Sequence, residues 1–297
     1  MPLKVRIGVG AGAVGFDGAG LAGLAGDLVD LGFDSLWLPE ILSLPGLDPL
    51  VGLAWAGASH PRLKLGTTML LPGRNTMRLA KQIASLDALS GGRFLVTFVT
   101  GLARGPERDT VGVEPASRGG AVDELLPLLR RLWSGEQVTY DGPAGRIPGV
   151  RLSPLPVQDP FDVWLGGLAH SSLERCGRLA DGWLPALCSP TEAARGRKVV
   201  EEAAAAAGRA IDPEHFGVSI GYARRALPPP TVAALASRAR GRPLADLVPV
   251  GLPALRELVE RFVDVGFSKF VVRPVVPPQR WRSELEELAA AVLDLQT

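Results

Sequence analysis

The spacing of apolar positions changes period repeatedly along the chain, most clearly between Arg62 and Gly101. Leu63 to Leu71 is a mostly apolar run with β-branched threonines, bounded by Pro61 and Pro72. A short run that does not alternate is the signature of a strand buried on both faces of a parallel sheet. From Asn75 the spacing shifts, and Leu79, Ile83, Leu86 and Leu89 fall four, three and three apart, on one face of a helix. Asn75 is placed to cap that helix and the Gly91-Gly92 pair to stop it. Phe94 to Val99 is apolar and β-branched again. This succession predicts a βαβ unit with parallel strands and a right-handed crossover.

The same alternation runs through the rest of the chain. Strands are predicted at Leu3–Gly10, Phe33–Leu38, Asp162–Leu165, Gly182–Leu184, His215–Tyr222 and Phe267–Val272. Helices are predicted at Leu21–Leu31, Asp48–Ala58, 118–133 behind a Ser117 cap, from Ser171, at Glu192–Ala207, from Pro253, and at Trp281–Leu295. Two stretches interrupt the pattern. Residues 136–159 hold two short runs, EQVTYDGP and RIPGVRL. Residues 223–249 carry Pro228 to Pro230 and an Ala/Arg helix around Thr231 to Arg240. This second insertion follows a strand, so it is placed to reach over the site as a lid. With no internal repeat beyond βα and no linker, residues 1–297 read as one domain.

Composition narrows the function classes. The chain has 297 residues, the length of two average domains or one barrel. It is 46% hydrophobic, with a mean hydropathy of +0.19, yet no apolar run approaches a membrane span. With 32 basic and 31 acidic residues the net charge is +1, which argues against a nucleic-acid or membrane partner. The arginines from Arg238 to Arg242 read as a solvated loop. Cys176 and Cys188 match no metal spacing and are expected to be free thiols. The N-terminus enters a strand pattern directly, without a signal-peptide profile, so a cytoplasmic protein is expected. The glycines at 11–20 lack the lysine of a phosphate loop and a well-placed acidic partner, and they read as a flexible loop.

The motifs LGTTMLLPGRN and LAKQIASLDALSGGRF resemble the luciferase-like family of flavin- and coenzyme F-420-dependent oxidoreductases. GFDSLWLPE at 32–40, RGGAVDELLPLLRRLWSGEQVTYDG at 118–142, VWLGGLAHSSLERCGRLADGWLP at 163–185 and the tail from 250 agree in order. The resemblance implies a (β/α)8 TIM barrel with a small hairpin after the fourth βα unit and a loop/helix insertion after the seventh strand. It also implies a cofactor at the C-terminal ends of the strands, where barrel function resides. His60, in a turn before a strand, then lies on the opposite, stability face.

The resemblance puts Glu40, Thr68, Met69, Leu71, Thr100, Gly101, Gly166, Gly167, Ala169 and His170 against that cofactor. Gly166-Gly167 followed by a helix start also fits a phosphate site on physical grounds, because bare amides at a helix N-terminus attract anions. The competing reading is a tight turn that needs glycine and binds nothing. Relatives that use coenzyme F-420 carry a bulge with a non-prolyl cis peptide at the position of Thr68-Met69, so one is expected here. Trp37, Leu38, Met69 and Leu71 are expected to line an apolar substrate pocket. Two departures matter. Ile41 stands where sugar-phosphate and alcohol dehydrogenases of the family have histidine, and Leu102 where they have glutamate. Without those groups, proton abstraction from an alcohol lacks an agent.

Three readings follow. One is an oxidoreductase that moves hydride between coenzyme F-420 and a small organic substrate. The next is an FMN-dependent monooxygenase served by a separate flavin reductase. The last is a degenerate barrel that binds a flavin, or nothing, without turnover. Exposed apolar helix faces would permit a homodimer.

Overall fold

Strands and helices alternate in the computed structural model, which describes residues 3–12, 14–102, 107–239 and 241–297. In chain order they are β1 (Arg6–Gly10), α1 (Gly18–Leu31), β2 (Ser35–Pro39), α2 (Pro49–Ser59), β3 (Lys64–Leu70), α3 (Thr76–Ser90), β4 (Phe94–Val99) and α4 (Arg118–Trp133). A hairpin follows, β5 (Gln137–Gly142) and β6 (Gly145–Arg151). The second half holds β7 (Val163–Leu165), α5 (His170–Leu179), β8 (Gly182–Trp183), α6 (Pro190–Ala206) and β9 (Gly217–Tyr222). It ends with α7 (Pro229–Ala239), α8 (Leu252–Asp264), β10 (Lys269–Pro274) and α9 (Trp281–Val292). Arg240, the last residue of the expected Ala/Arg helix, lies outside the described residues.

Eight parallel strands run in the order β8-β7-β4-β3-β2-β1-β10-β9. The two ends meet through parallel bridges, Trp183 with Phe216 and Ala186 with Ser219, which close the sheet into a (β/α)8 barrel. The antiparallel β5-β6 pair stands outside it, between α4 and β7, where a hairpin was expected. No helix among the described residues is long and apolar enough to cross a membrane.

Local chemistry sets the helix ends. Asn75 Oδ1 accepts from the Arg78 amide at 3.0 Å, and Gly91, at φ 66°, closes the other end of α3. Asp48 caps α2 through the amides of Leu50 and Val51, with Pro49 in the first turn. Ser117 departs from expectation, because its side chain makes no capping bond. A 3-10 turn, Pro115–Ser117, runs straight into α4 and leaves Ser117 in helical dihedrals, so its hydroxyl cannot reach back over the first amides.

Two layers of packing hold the barrel. Outward side chains, Ile7, Leu36, Leu38, Met69, Val96, Phe98 and Phe270 among them, form the main core against the helices. Inside, Trp37, Trp164, Leu184 and Val271 make a separate cluster. Glycine leaves room for the indoles. A Cβ on Gly66 would stand 2.2 Å from the Trp37 ring, and one on Gly182 would stand 2.4 Å from Trp164.

The approach from the hairpin to β7 hangs on one buried carboxylate. Asp87 of α3, fully buried, accepts from the amides of Val157 (2.7 Å) and Gln158 (3.1 Å) and from Gln158 Nε2 (2.6 Å). Removing an acceptor that serves three part-buried donors takes away all three bonds, and bonds to a charged group are each worth about 1.5–3 kcal/mol. Asp87→Ala is expected to lower the urea-unfolding free energy by about 3 kcal/mol or more, and Asp87→Asn by less. An Asp87→Ala change under about 1 kcal/mol would show that this clamp is not needed.

Candidate cofactor and active site

The C-terminal ends of the strands gather most of the residues singled out from the sequence. At the β2–β3 edge the Glu40 amide donates to the Thr68 carbonyl at 2.8 Å. The Glu40 carboxylate, 6% exposed, accepts from the Leu70 amide at 2.7 Å and pairs with Arg74. Arg74 also donates to the Leu70 carbonyl at 2.8 Å. Glu40 therefore fixes the exit of β3. Thr100 and Gly166, from the neighbouring ends of β4 and β7, share a narrow cleft with Ser172 and Arg175 of α5. Arg175 makes a two-pronged pair with Asp123 of α4, at 3.0 and 3.1 Å.

The double glycine forms a cradle. A Cβ on Gly166 would stand 2.8 Å from Val99 Cγ1 and 3.2 Å from the Leu184 carbonyl. Gly167 has φ +114°, where a side chain is strained. The turn is held in place because the Trp183 indole donates to the Gly167 carbonyl at 3.0 Å. The ten-residue α5 starts directly after it, with Ala169 at the N-cap offering no side-chain acceptor. Its first amides are thus uncapped, and the adjoining surface at Gly167, Ala169 and His170 is exposed. His170 itself reaches solvent and lies 3.3 Å from Glu174. An anion fits here by backbone donation and helix dipole together. Below the mouth, Thr97 Oγ1 and Trp164 Nε1, on paired residues of β4 and β7, are buried without partners among the described residues.

Three expectations need correction. First, β3 keeps unbroken register with β2 and β4 through Thr68 and Met69, so there is no bulge. The cis bonds among the described residues are both before proline, at Ser153-Pro154 and Asp159-Pro160, so Thr68-Met69 is trans. Ladders on both sides hold it there, and a non-prolyl cis bond costs about 3–4 kcal/mol. Second, the side chains of Met69 and Leu71 are fully buried in the helix-facing layer, away from the mouth. Successive residues of a strand face opposite ways, so Thr68 and Leu70, both partly exposed, face the mouth instead. Third, Leu38 shares the outer layer, and Trp37 is committed to the barrel interior, its indole donating to Ser35 Oγ at 2.9 Å.

Other residues escaped sequence reading. Leu70 is one, since a Cβ on Gly101, itself at φ +80°, would meet Leu70 Cδ2 at 2.7 Å. Arg118 is another. Buried at the start of α4, it donates to the carbonyls of Leu102 (2.8 Å), Val113 (2.9 Å) and Arg108, holding those three residues together. His60 packs on α1, its ring 3.2 Å from the Ala22 carbonyl, on the face opposite the site. Both cysteines are buried free thiols, and no His/Cys/Asp/Glu cluster for a metal exists among the described residues.

Comparison with known proteins follows this geometry. The family described as luciferase-like monooxygenase matches residues 3–246. An uncharacterized protein of Mycobacterium tuberculosis is 35% identical over 165 residues, 54% of this chain and 56% of that protein. The F-420-dependent glucose-6-phosphate dehydrogenase of Nakamurella multipartita is 29% identical over 233 residues, 71% of this chain and 65% of that enzyme. The matches thus span from about half to two thirds of the length of these relatives. Among solved structures, the coenzyme F-420-dependent tetrahydromethanopterin reductase of Methanopyrus kandleri superposes with a TM-score of 0.79. It is 17% identical, and the whole of both chains is covered, which marks a shared fold.

Glu40 supplies a test of the site's electrostatics. Burial pushes its carboxyl above the usual value of 4.5, against the opposing pull of Arg74 and the Leu70 amide. A carboxyl whose folded value is raised holds its proton longer in the folded than in the unfolded state. Its contribution to stability is complete below the ordinary value and is lost as pH rises through the folded one. The unfolding free energy of the wild type relative to Glu40→Gln should therefore fall between about pH 4 and pH 7. A rise over that range, followed by chemical denaturation, would mean that the Arg74 pair outweighs burial.

Proposed function

The chain belongs to the luciferase-like monooxygenase family, and from that membership we propose an oxidoreductase that binds coenzyme F-420 in the barrel mouth and exchanges hydride with a small organic substrate. The observation that carries the reading is the Gly166-Gly167 cradle at the uncapped start of α5, which fits the phosphate of such a cofactor. The F-420-dependent relative supports the choice of cofactor. Thr68, Leu70, Thr100 and Gly101 would border its ring, and the backbone of Gly166, Gly167, Ala169 and His170 would hold its phosphate. When bound, the deazaflavin supplies the hydride donor or acceptor.

The protein's own contribution is binding, orientation and exclusion of water. Ile41 and Leu102 offer no proton acceptor, and Leu102 is exposed. Glu40 is locked to Arg74 and the Leu70 amide. None of these three side chains stands free as a general base. That favours substrates whose reduction or oxidation needs no side-chain base, and disfavours alcohol or sugar-phosphate oxidation. The family's description as a monooxygenase keeps oxygen activation as a second reading, with FMN the cofactor that the sequence resemblance implies for it.

A paired fluorescence titration with coenzyme F-420 and FMN tests this. Tighter binding of F-420 is expected, and Gly166→Val should weaken it by roughly ten-fold or more, since the cradle is filled. Preference for FMN, with oxygen uptake in the presence of a flavin reductase, would replace the proposal with the monooxygenase. Binding of neither would leave a barrel without turnover.

A further inference from the structure

Arg273 sits one residue before the end of β10 and shares the inward face with Lys269 and Val271. It is seated among glycines. A Cβ on Gly10 would stand 3.2 Å from its Cβ, and one on Gly221 would stand 3.6 Å from its Nη2. The stem therefore lies across the end of β1 and the guanidinium over the end of β9, in the mouth. Burial lowers its pKa to about 10, and the one charge acting on it there is a second cation, Arg238 of α7. α7 is held over the mouth by its own small core of Leu187, Leu235, Ala239, Leu247 and Val248.

Two other arginines set into the fold are satisfied. Arg118 donates to three carbonyls, and Arg93 to those of Ser90, His60, Leu63 and Gly57. Arg273 and Arg238 have no hydrogen-bonded or ion-paired acceptor among the described residues. The carboxylates of the rim are committed elsewhere: Glu40 to Arg74, Glu284 to Tyr222, and Glu192 to the amide of Ser189. Two like charges close together and short of acceptors are unfavourable unless an anion joins them.

We propose that Arg273, with Arg238 from the lid helix, anchors an oxyanion group of the substrate, a carboxylate or a phosphate. In the ring of eight strands β10 stands opposite β4 and three strands from β7. The anchor is therefore across the mouth from Thr100-Gly101 and well apart from the double-glycine cradle. A guanidinium takes either oxyanion in two-pronged fashion. An anion held there leaves the rest of a small substrate to extend toward the cofactor side. The orientation half of this inference rests on the proposed function, whereas the anion site itself does not.

The test uses the cofactor-free protein and two probes, inorganic phosphate and benzoate, titrated by calorimetry against chloride at equal ionic strength. Wild type should bind at least one probe saturably, and Gly166→Val, whose cradle is filled, should keep the part of that binding that depends on Arg273. Arg273→Gln should weaken that binding by roughly ten- to hundred-fold, Arg273→Lys by less, and Arg238→Gln by a few fold. Circular dichroism and melting check the fold of Arg273→Gln, and Arg238→Gln, on an exposed helix face, tests the site without touching the barrel. Which probe binds distinguishes a carboxylate from a phosphate substrate. Binding no stronger than chloride, or unchanged in Arg273→Gln, would overturn the proposal. If Arg273→Gln loses cofactor affinity in the same proportion, the pair serves the cofactor's own anion, and the substrate assignment is wrong. If the anion site survives while no cofactor binds, the functional reading fails and the anion site stands.

Discussion

Two indoles inside a ring of eight short strands set the terms for everything above them. Trp37 and Trp164 fill the barrel interior, and they fit because Gly66 and Gly182 present no side chain to the rings. A methyl group at either glycine would overlap an indole, and a smaller residue at either tryptophan would leave a void in a close-packed interior. The plug matters for function as well as stability. It makes a solid floor, so a ligand at the C-terminal face rests on packed side chains rather than in a pore. The glycines at the upper ends of the strands, Gly10, Gly101, Gly166 and Gly221, then open the space above that floor.

Much of this fold was legible in the sequence because period and punctuation agree. The switch from the unbroken run at Leu63–Leu71 to the helical spacing from Leu79, with Asn75 and Gly91 at the boundaries, marks one βα unit almost to the residue. What the pattern could not supply was facing. A strand buried on both sides carries apolar residues at every position, so nothing in LGTTMLL says which of Met69 and Leu70 points to the mouth. Thr68, Met69 and Leu71 were assigned to the site on resemblance, and the parity of β3 turns the side chains of Met69 and Leu71 outward while Thr68 and Leu70 face the mouth. The double glycine was easier to read as a turn before a helix start, and the structure has that turn. Arg273 was not legible at all. The expected strand stopped at Val272, and only the two further residues of β10 carry the guanidinium into the mouth.

The chemistry of the mouth is defined by what its polar groups are already doing. Glu40 occupies the position of a family acidic residue, yet its oxygens are engaged by Arg74 and the Leu70 amide, which makes it part of the scaffold of β3. Arg118 and Arg175 are likewise bound up, one with loop carbonyls and one with Asp123. A site whose described carboxylates, Glu40 and Asp123 among them, hold strands and helices is poorly equipped to move protons and well equipped to hold a cofactor still. That division of labour is what a reaction carried by the cofactor requires, since a rigid first layer of contacts fixes donor and acceptor distance without a side chain taking part in bond making.

Against that background Arg273, unengaged among the described residues, stands out for a physical reason. Placing a guanidinium where water is scarce is unfavourable, and placing a second cation near it adds to the penalty. Cores normally resolve such a conflict with a carboxylate or a set of carbonyls, as Arg118 and Arg93 do a few strands away. The same molecule therefore has the means to satisfy a buried arginine and does not use them at Arg273. A group left unsatisfied in the protein alone, in the mouth, beneath a helix with its own small core, is better placed to be satisfied by a ligand than by the fold. The lid then has a clear physical role. Closing Arg238 over Arg273 is unfavourable without an anion and favourable with one, so an anionic substrate would supply the attraction that shuts the mouth over it.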